Sequence, residues 1–263
     1  YTPASAGTGS TTLTVSLSDD GGTENGGVDT SADQTANVAL TFTAFVGNSG
    51  DGSVSVIDVA TDQESDRIDV GSSPVAVAFA PDGASVFVAA RGNDRIDVID
   101  VASGAVTDMI PVGDEPEGLA FTPDGSTAYV ANAASNTVSV IDVTSGTVTG
   151  TIPVSGAPRA VAFTPDGATA YVAREDVDSV SIVDVATGTL TAAIASTAGR
   201  PWTVAVTPDG SSVWVGNITG NEITLIDVLT EAVTGTITLG GSPRSIAFAP
   251  DGSVAYVANQ SDN

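Results

Sequence analysis

From Ala44 onward, apolar and small polar residues alternate in short runs, each closed by Gly, Pro, Asp or Asn. Between Ala128 and Thr164 the runs read AYVA, TVSVIDV, TVTGTIPV and RAVAFT, separated by NAASN, TSG and SGAP and closed by PDG. Alternation with a period of two, bounded by turn formers, predicts half-buried strands, so each set of four runs predicts a four-stranded antiparallel sheet. Pro-Asp-Gly makes a turn because Pro presets φ and Gly accepts a positive φ. No run approaches the roughly eighteen consecutive apolar residues of a membrane span.

The four-run unit recurs. Pro-Asp-Gly begins at Pro81, Pro123, Pro165, Pro208 and Pro250, at spacings of 42, 42, 43 and 42 residues. A second proline keeps the same phase at Pro74, Pro116, Pro158, Pro201 and Pro243. So does the aspartate of IDV or VDV, at Asp58, Asp100, Asp142, Asp184 and Asp227. Four antiparallel strands every 40 residues or so are the pattern of β-propeller blades. A lone four-stranded sheet leaves its apolar faces wet, whereas stacking each sheet on the next buries them. The predicted fold class is therefore all-β, a propeller of four-stranded blades over residues 44–263 with five repeats visible.

AYVANAASNTVSVID, TPDGATAYVAR, TPDGSSVWVGN and APDGSVAYVAN resemble YVTN-family β-propeller repeats, found in archaeal surface-layer proteins and in bacterial secreted or cell-surface proteins. The resemblance covers roughly residues 44–263. It implies an extracellular propeller, usually seven-bladed, with ligand or partner sites on one face. In its strand order RAVAFT is innermost, AYVA second, TVSVIDV third and TVTGTIPV outermost. The visible set then starts with a second strand near Ala44 and ends with one at Ala255–Ala258. Two arrangements fit. Five blades close if the inner strand at Arg244–Ala249 joins the first sheet; alternatively, the chain is an open arc of a seven-bladed parent, which is the preferred expectation.

Residues 1–43 lack the period. They show a strand in TTLTVSLSD, a Gly- and Asp-rich hairpin and a strand in QTANVALTF. LSDDGGTENGGVDTSADQT resembles the end of the cadherin-like or immunoglobulin-like tandem domains of large bacterial surface proteins, which implies the last strands of a β-sandwich begun upstream. Asp19, Asp20, Glu24 and Asp29 are candidate oxygen ligands for Ca2+, weighed against a solvated acidic loop. Their spacing is not that of an EF-hand, and no other cofactor is expected.

Composition removes most familiar active sites. The chain has no Cys, no His and no Lys, so thiol nucleophiles, imidazole bases, His-ligated metals and Schiff bases are excluded. The net charge is −25, from 32 acidic residues against seven Arg. Such a surface repels nucleic acid and anionic lipid, so neither is an expected partner and no membrane insertion is expected.

Positions that stay constant between repeats serve the scaffold, so the periodic aspartates are read as structural. Positions that differ are where a site is built. The residue after the second proline varies most: Val75, Glu117, Arg159, Trp202 and Arg244. It opens the innermost strand, at the mouth of the central channel. A second register follows the YVA motif, at Asn48, Ala90, Asn132, Arg174, Asn217 and Asn259. Both fall at the same end of the blades, and six of the seven Arg gather there, with Arg67 on an outermost strand elsewhere. Arg presents a planar fork to carboxylate or phosphate, and Trp202 offers a stacking surface. The expected site is a top face that recognises an anion or glycan through Arg159, Arg244, Trp202, Glu117, Arg174 and Arg200, weighed against drifting repeats whose arginines only balance neighbouring Asp or Glu. Asn217 and Asn259 begin N-glycosylation triplets in expected surface loops.

The leading functional expectation is a non-enzymatic extracellular or cell-surface module of a prokaryote, acting in adhesion, surface-layer assembly or recognition. Its partner is a surface protein, a glycan or an anionic small ligand. Two alternatives stand beside it. One is a propeller enzyme of lactonase or quinone-linked dehydrogenase type, with Glu117 as general base and Arg159 and Arg244 holding an anionic substrate. The other is a structural spacer in a giant adhesin.

Overall fold

The computed structural model describes residues 10–15, 34–39, 43–196 and 198–260. Strands Ser10–Val15 and Gln34–Ala39 pair antiparallel, Val15 opposite Gln34, where the two N-terminal runs predict strands. Asp19, Asp20, Glu24 and Asp29 lie outside the described residues. The chain divides into two compact units, residues 1–45 with 56–66 and residues 46–55 with 67–263. The second unit carries the candidate site.

Four complete four-stranded sheets follow one another, each in the order inner, second, third, outer. Blade I consists of Pro74–Phe79, Ser85–Ala90, Arg95–Asp100 and Ala105–Pro111. Blade II is Pro116–Phe121, Thr127–Asn132, Thr137–Asp142 and Thr147–Pro153. Blade III is Pro158–Phe163, Thr169–Arg174, Ser179–Asp184 and Thr189–Ala195. Blade IV is Pro201–Val206, Ser212–Asn217, Glu222–Asp227 and Ala232–Thr238. Ahead of them runs a sheet of Thr43–Asn48, Ser53–Asp58 and Gln63–Asp69; after them come Ser242–Phe248 and Ala255–Gln260. The inner strand Ser242–Phe248 pairs with Ala255–Gln260. No helix among the described residues is long and apolar enough to cross a membrane.

Blades stack face to face because the second and third strands are apolar on both sides. Between blades II and III, Tyr129, Ala131, Val138 and Ile152 meet Val161, Ala170, Val172 and Val183. An aromatic on each of three second strands meets a ring on the next inner strand edge-on. Ring centroids lie 4.9 Å apart in Phe87–Phe121 and Tyr129–Phe163, and 5.1 Å apart in Trp214–Phe248. Such pairs add about 0.5–1.5 kcal/mol each beyond the area they bury.

The periodic aspartates hold turns. Asp100, Asp142, Asp184 and Asp227 each accept the backbone N–H and the hydroxyl of the Ser or Thr three residues on. In the Pro-Asp-Gly turns, Asp124, Asp166 and Asp209 accept the N–H two residues on at 3.0 Å. Hydroxyl donors first, and backbone N–H groups second, keep these carboxyls below their ordinary range, Asp209 at about 2 with Thr207 the main cause.

Those turns all lie at one end of the blades. At the other end Pro116 pairs with Asn132, Asn132 with Thr137 and Thr137 with Pro153. Here the loop after each second strand clamps the crossover into the next blade. Asp94, Asn136 and Asp178 adopt left-handed φ of 55°, 57° and 46°, which Asx residues tolerate. Their side-chain oxygens accept the N–H of Glu115 at 2.9 Å, of Ala157 at 2.8 Å and of Arg200 at 2.6 Å. Each inner strand is thereby delivered from a fixed point.

Candidate functional site

Each inner strand carries a proline at or next to its start and then slips by one residue. Pro116 pairs with Asn132 but Gly118 with Ala131, and the same shift follows Pro74, Pro158, Pro201 and Pro243. The residue left unpaired is Val75, Glu117, Arg159, Trp202 or Arg244, the variable register. A β-bulge turns a side chain out of the pleat and often marks a functional site. Here the five bulged residues line one cleft of about 570 Å³, with Arg91 and Gly118 beside them.

A chain of alternating charges crosses the wall of this cleft. Arg91 Nη2 donates to Glu115 Oε2 at 2.9 Å, and Arg91 Nε lies 3.2 Å from Glu117 Oε1. Arg159 Nη1 donates to that Glu117 oxygen and Arg159 Nε to Glu175 Oε2, both at 2.6 Å. Arg200 Nη2 donates to Glu175 Oε1. The Glu175 and Glu117 side chains are 1% and 7% exposed, against 17% for Arg159. Burial pushes the Glu117 carboxyl up, against the pull of Arg159 and Arg91. Burial also raises Glu175, but the hydrogen bonds of Arg159 and Arg200 outweigh it and leave the carboxyl below its ordinary range.

Trp202 sits under two guanidiniums. The Cζ of Arg159 is 4.7 Å and that of Arg244 4.2 Å from the ring centroid. The ring orients both arginines by cation–π contact. Arg244 Nε donates to Gln260 Oε1 at 2.6 Å, and among the described residues Arg244 makes no ion pair. Of the residues that line the cleft, three carry a guanidinium, Arg91, Arg159 and Arg244, and one a carboxylate, Glu117. The site carries a local excess of positive charge in a chain of net charge −25. Among the described residues no group of acidic side chains is placed to hold a metal ion.

Of the expected site residues, Glu117, Arg159, Trp202 and Arg244 share the cleft, and Arg200 joins through Glu175. Arg174 does not line it; its guanidinium turns inward to Ser155 and Ser179. Two asparagines of that register are internal bracing. Asn132 Nδ2 donates to Ser139 Oγ at 2.9 Å and Asn217 Nδ2 to Thr224 Oγ1 at 2.8 Å. Asn217 is 0% exposed and ends a strand, so it is no acceptor for a glycan in the folded chain, which corrects that expectation. Asn259 is exposed, on the strand Ala255–Gln260 and not in a loop. Arg67 was expected elsewhere, yet it reaches Asp51 at 2.8 Å, in the loop after a second strand.

Sequence reasoning missed Glu175 and Glu115, and placed Arg91 at this end of the blades without naming it as a site residue. A signal existed one residue beyond the second register, where the units carry Ser49, Arg91, Ala133, Glu175, Ile218 and Gln260. The residue sixteen places after a bulged arginine is its neighbour in both cases: Arg159 donates to Glu175 and Arg244 to Gln260.

A family model described as "Lactonase, 7-bladed beta-propeller" matches residues 38–152 and 147–263. Among solved structures, the chain is similar to a functionally unknown protein from Desulfotomaculum acetoxidans DSM 771. The TM-score is 0.76 at 20% identity, over 83% of this chain and 73% of that one. It is also similar to Kuenenia stuttgartiensis hydrazine synthase, with a TM-score of 0.62 at 22% identity, over 82% of this chain and 89% of that one. Likeness at this identity speaks for the propeller fold. A search of the curated proteins finds no match.

Proposed function

Because the chain belongs to the lactonase, seven-bladed β-propeller family, we propose that its bulge-lined cleft is a recognition site for a small carboxylate-bearing ligand of the acidic-sugar type. One observation carries this reading: Arg244 is held by Trp202 and Gln260, with no carboxylate partner among the described residues. Its Nη edge fits the two oxygens of a carboxylate, the geometry in which arginine binds most strongly. Arg159 stands beside it on the same indole, so a second anionic or hydroxyl group of the ligand meets a second fork.

The role is recognition on a secreted or surface-displayed propeller, in adhesion or assembly. Two facts support binding over turnover. The chain has no His, Cys or Lys, and Glu117 in the cleft and Glu175 behind Arg159 are both tied to arginines. The expected outcome for Arg159→Ala with Arg244→Ala is a loss of glucuronate affinity of at least tenfold by calorimetry, with unchanged folding by circular dichroism. Equal affinity in the double variant would remove the proposal.

A second reading is lactone hydrolysis, favoured by the family and by the burial that pushes the Glu117 carboxyl up. Glu117 would take a proton from an attacking water while Arg159 and Arg91 hold the developing oxyanion. In that case the wild type opens a lactone of a sugar acid and Glu117→Gln loses the activity by about 10²-fold or more. No turnover by the wild type would leave recognition as the function.

A further inference from the structure

A second feature, inside blade III, stands apart from the cleft. In three units the last residue of the second strand is an asparagine whose amide serves hydroxyls on the third strand. Asn48 donates to Ser55 Oγ at 2.8 Å, Asn132 to Ser139 Oγ at 2.9 Å and Asn217 to Thr224 Oγ1 at 2.8 Å. Blade I solves the same place with charge. Asp97, which is 0% exposed, stands where Ser139 stands, accepts the Gly71 N–H at 2.5 Å and pairs with Arg95 at 2.7 Å.

Blade III has half of each solution. Arg174 replaces the asparagine, but Ser181 occupies the position of Asp97. Arg174 Nη2 donates to Ser179 Oγ at 2.7 Å and Nη1 to Ser155 Oγ at 3.2 Å. Arg174 is 8% exposed, makes no ion pair among the described residues, and leaves Nε without a hydrogen-bond partner. Ser181 Oγ, on a residue 0% exposed, is also without one. Burial lowers the guanidinium pKa, the mark of a cation without its counter-charge. Buried charges in proteins are paired, because an unpaired one loses its hydration for nothing. The unmet groups here are an N–H and an O–H, both donors to a negative ion.

We propose that Arg174 and Ser181, with the hydroxyls of Ser155 and Ser179, bind a small monovalent inorganic anion of chloride size within blade III. The ion takes the part that the Asp97 carboxylate plays in blade I, where an arginine and the N–H of Gly71, the counterpart of Ser155, surround a fixed negative charge. A ligand that binds only the folded state raises stability as its concentration passes the dissociation constant. This site stands whether or not the cleft binds sugar acids.

The test is thermal unfolding of the whole chain in chloride from about 1 to about 100 mM, at ionic strength held constant with a bulky organic sulfonate. The melting temperature of the wild type rises by several degrees. It stays flat in Arg174→Asn, which restores the residue of the other blades, and in Ser181→Asp, which supplies the carboxylate covalently. A flat wild type, or a rise that survives in both variants, overturns the proposal. Crystals grown in bromide give an independent readout: anomalous density between Arg174 and Ser181 supports the site, and water there refutes it.

Discussion

Glu175→Ala is expected to lower the stability of the propeller by about 3 kcal/mol, the lower end of what removing one partner of a buried ion pair costs. The carboxylate is 1% exposed and joins two blades, accepting from Arg159 in blade III and from Arg200 ahead of blade IV. Without it, Arg159 keeps only Glu117 while remaining mostly buried. Arg200 is 55% exposed and relaxes into water, which is why the lower end of the range applies. For a domain of this size each kcal/mol moves the melting temperature by about 2–4 °C, so the expected drop is roughly 6–12 °C. Sugar-acid affinity falls with it, because Arg159 loses the bond at Nε that aims its outer edge into the cleft. Glu175→Gln keeps an acceptor oxygen for one arginine and should lose about half as much. A loss below about 1 kcal/mol in Glu175→Ala would put the network in the class of surface pairs that contribute little.

Gly118→Ala is expected to cost about as much for a steric reason. A methyl group there would lie 2.9 Å from the Ala160 Cα and closer still to the Arg159 carbonyl oxygen. Both are backbone atoms of the next inner strand, where no change of rotamer gives relief. Overpacking a core typically costs about 1–3 kcal/mol, and a clash with backbone belongs at the top of that range. Because the displaced segment carries Arg159, ligand affinity falls as well. Gly150→Ala is the control: on an outer strand, its nearest neighbour is Val140 Cβ at 3.7 Å, an ordinary contact. Urea unfolding should show the midpoint of Gly118→Ala well below that of Gly150→Ala. Equal midpoints would mean that the inner strands can part without penalty.

The fold was legible because every unit buries the same faces. The run TVSVIDV had to be a strand with Val138 and Ile141 inside, and both are 0% exposed. The prolines and Asp-Gly pairs then marked the turns. The cleft was half legible. Bulged residues contribute nothing to the repeated core, so they drift, and drift exposed Glu117, Arg159, Trp202 and Arg244 as one register. The register one residue beyond the second drifts as well, but its partners cannot be read from that drift. Arg91 and Glu175 sit in single-turn helical loops and meet partners 26 and 16 residues away, respectively, a spacing visible only once the strands are paired. Nor does a triplet such as NIT reveal whether its asparagine faces water; Asn217 faces Thr224 instead. Arg174 shared a register with exposed-looking asparagines, and the register turned out to point between strands.

The central claim is that the bulged register makes a positive cleft around Trp202 on a molecule of net charge −25. Fluorescence quenching of Trp214→Phe, which leaves Trp202 as the single indole and keeps an aromatic ring against Phe248, tests it most directly. Iodide, drawn by Arg159 and Arg244, should quench several-fold better than caesium, and alanine at both arginines should reverse the order. Caesium quenching the intact protein as well as iodide or better, as the net charge alone dictates, would contradict the account.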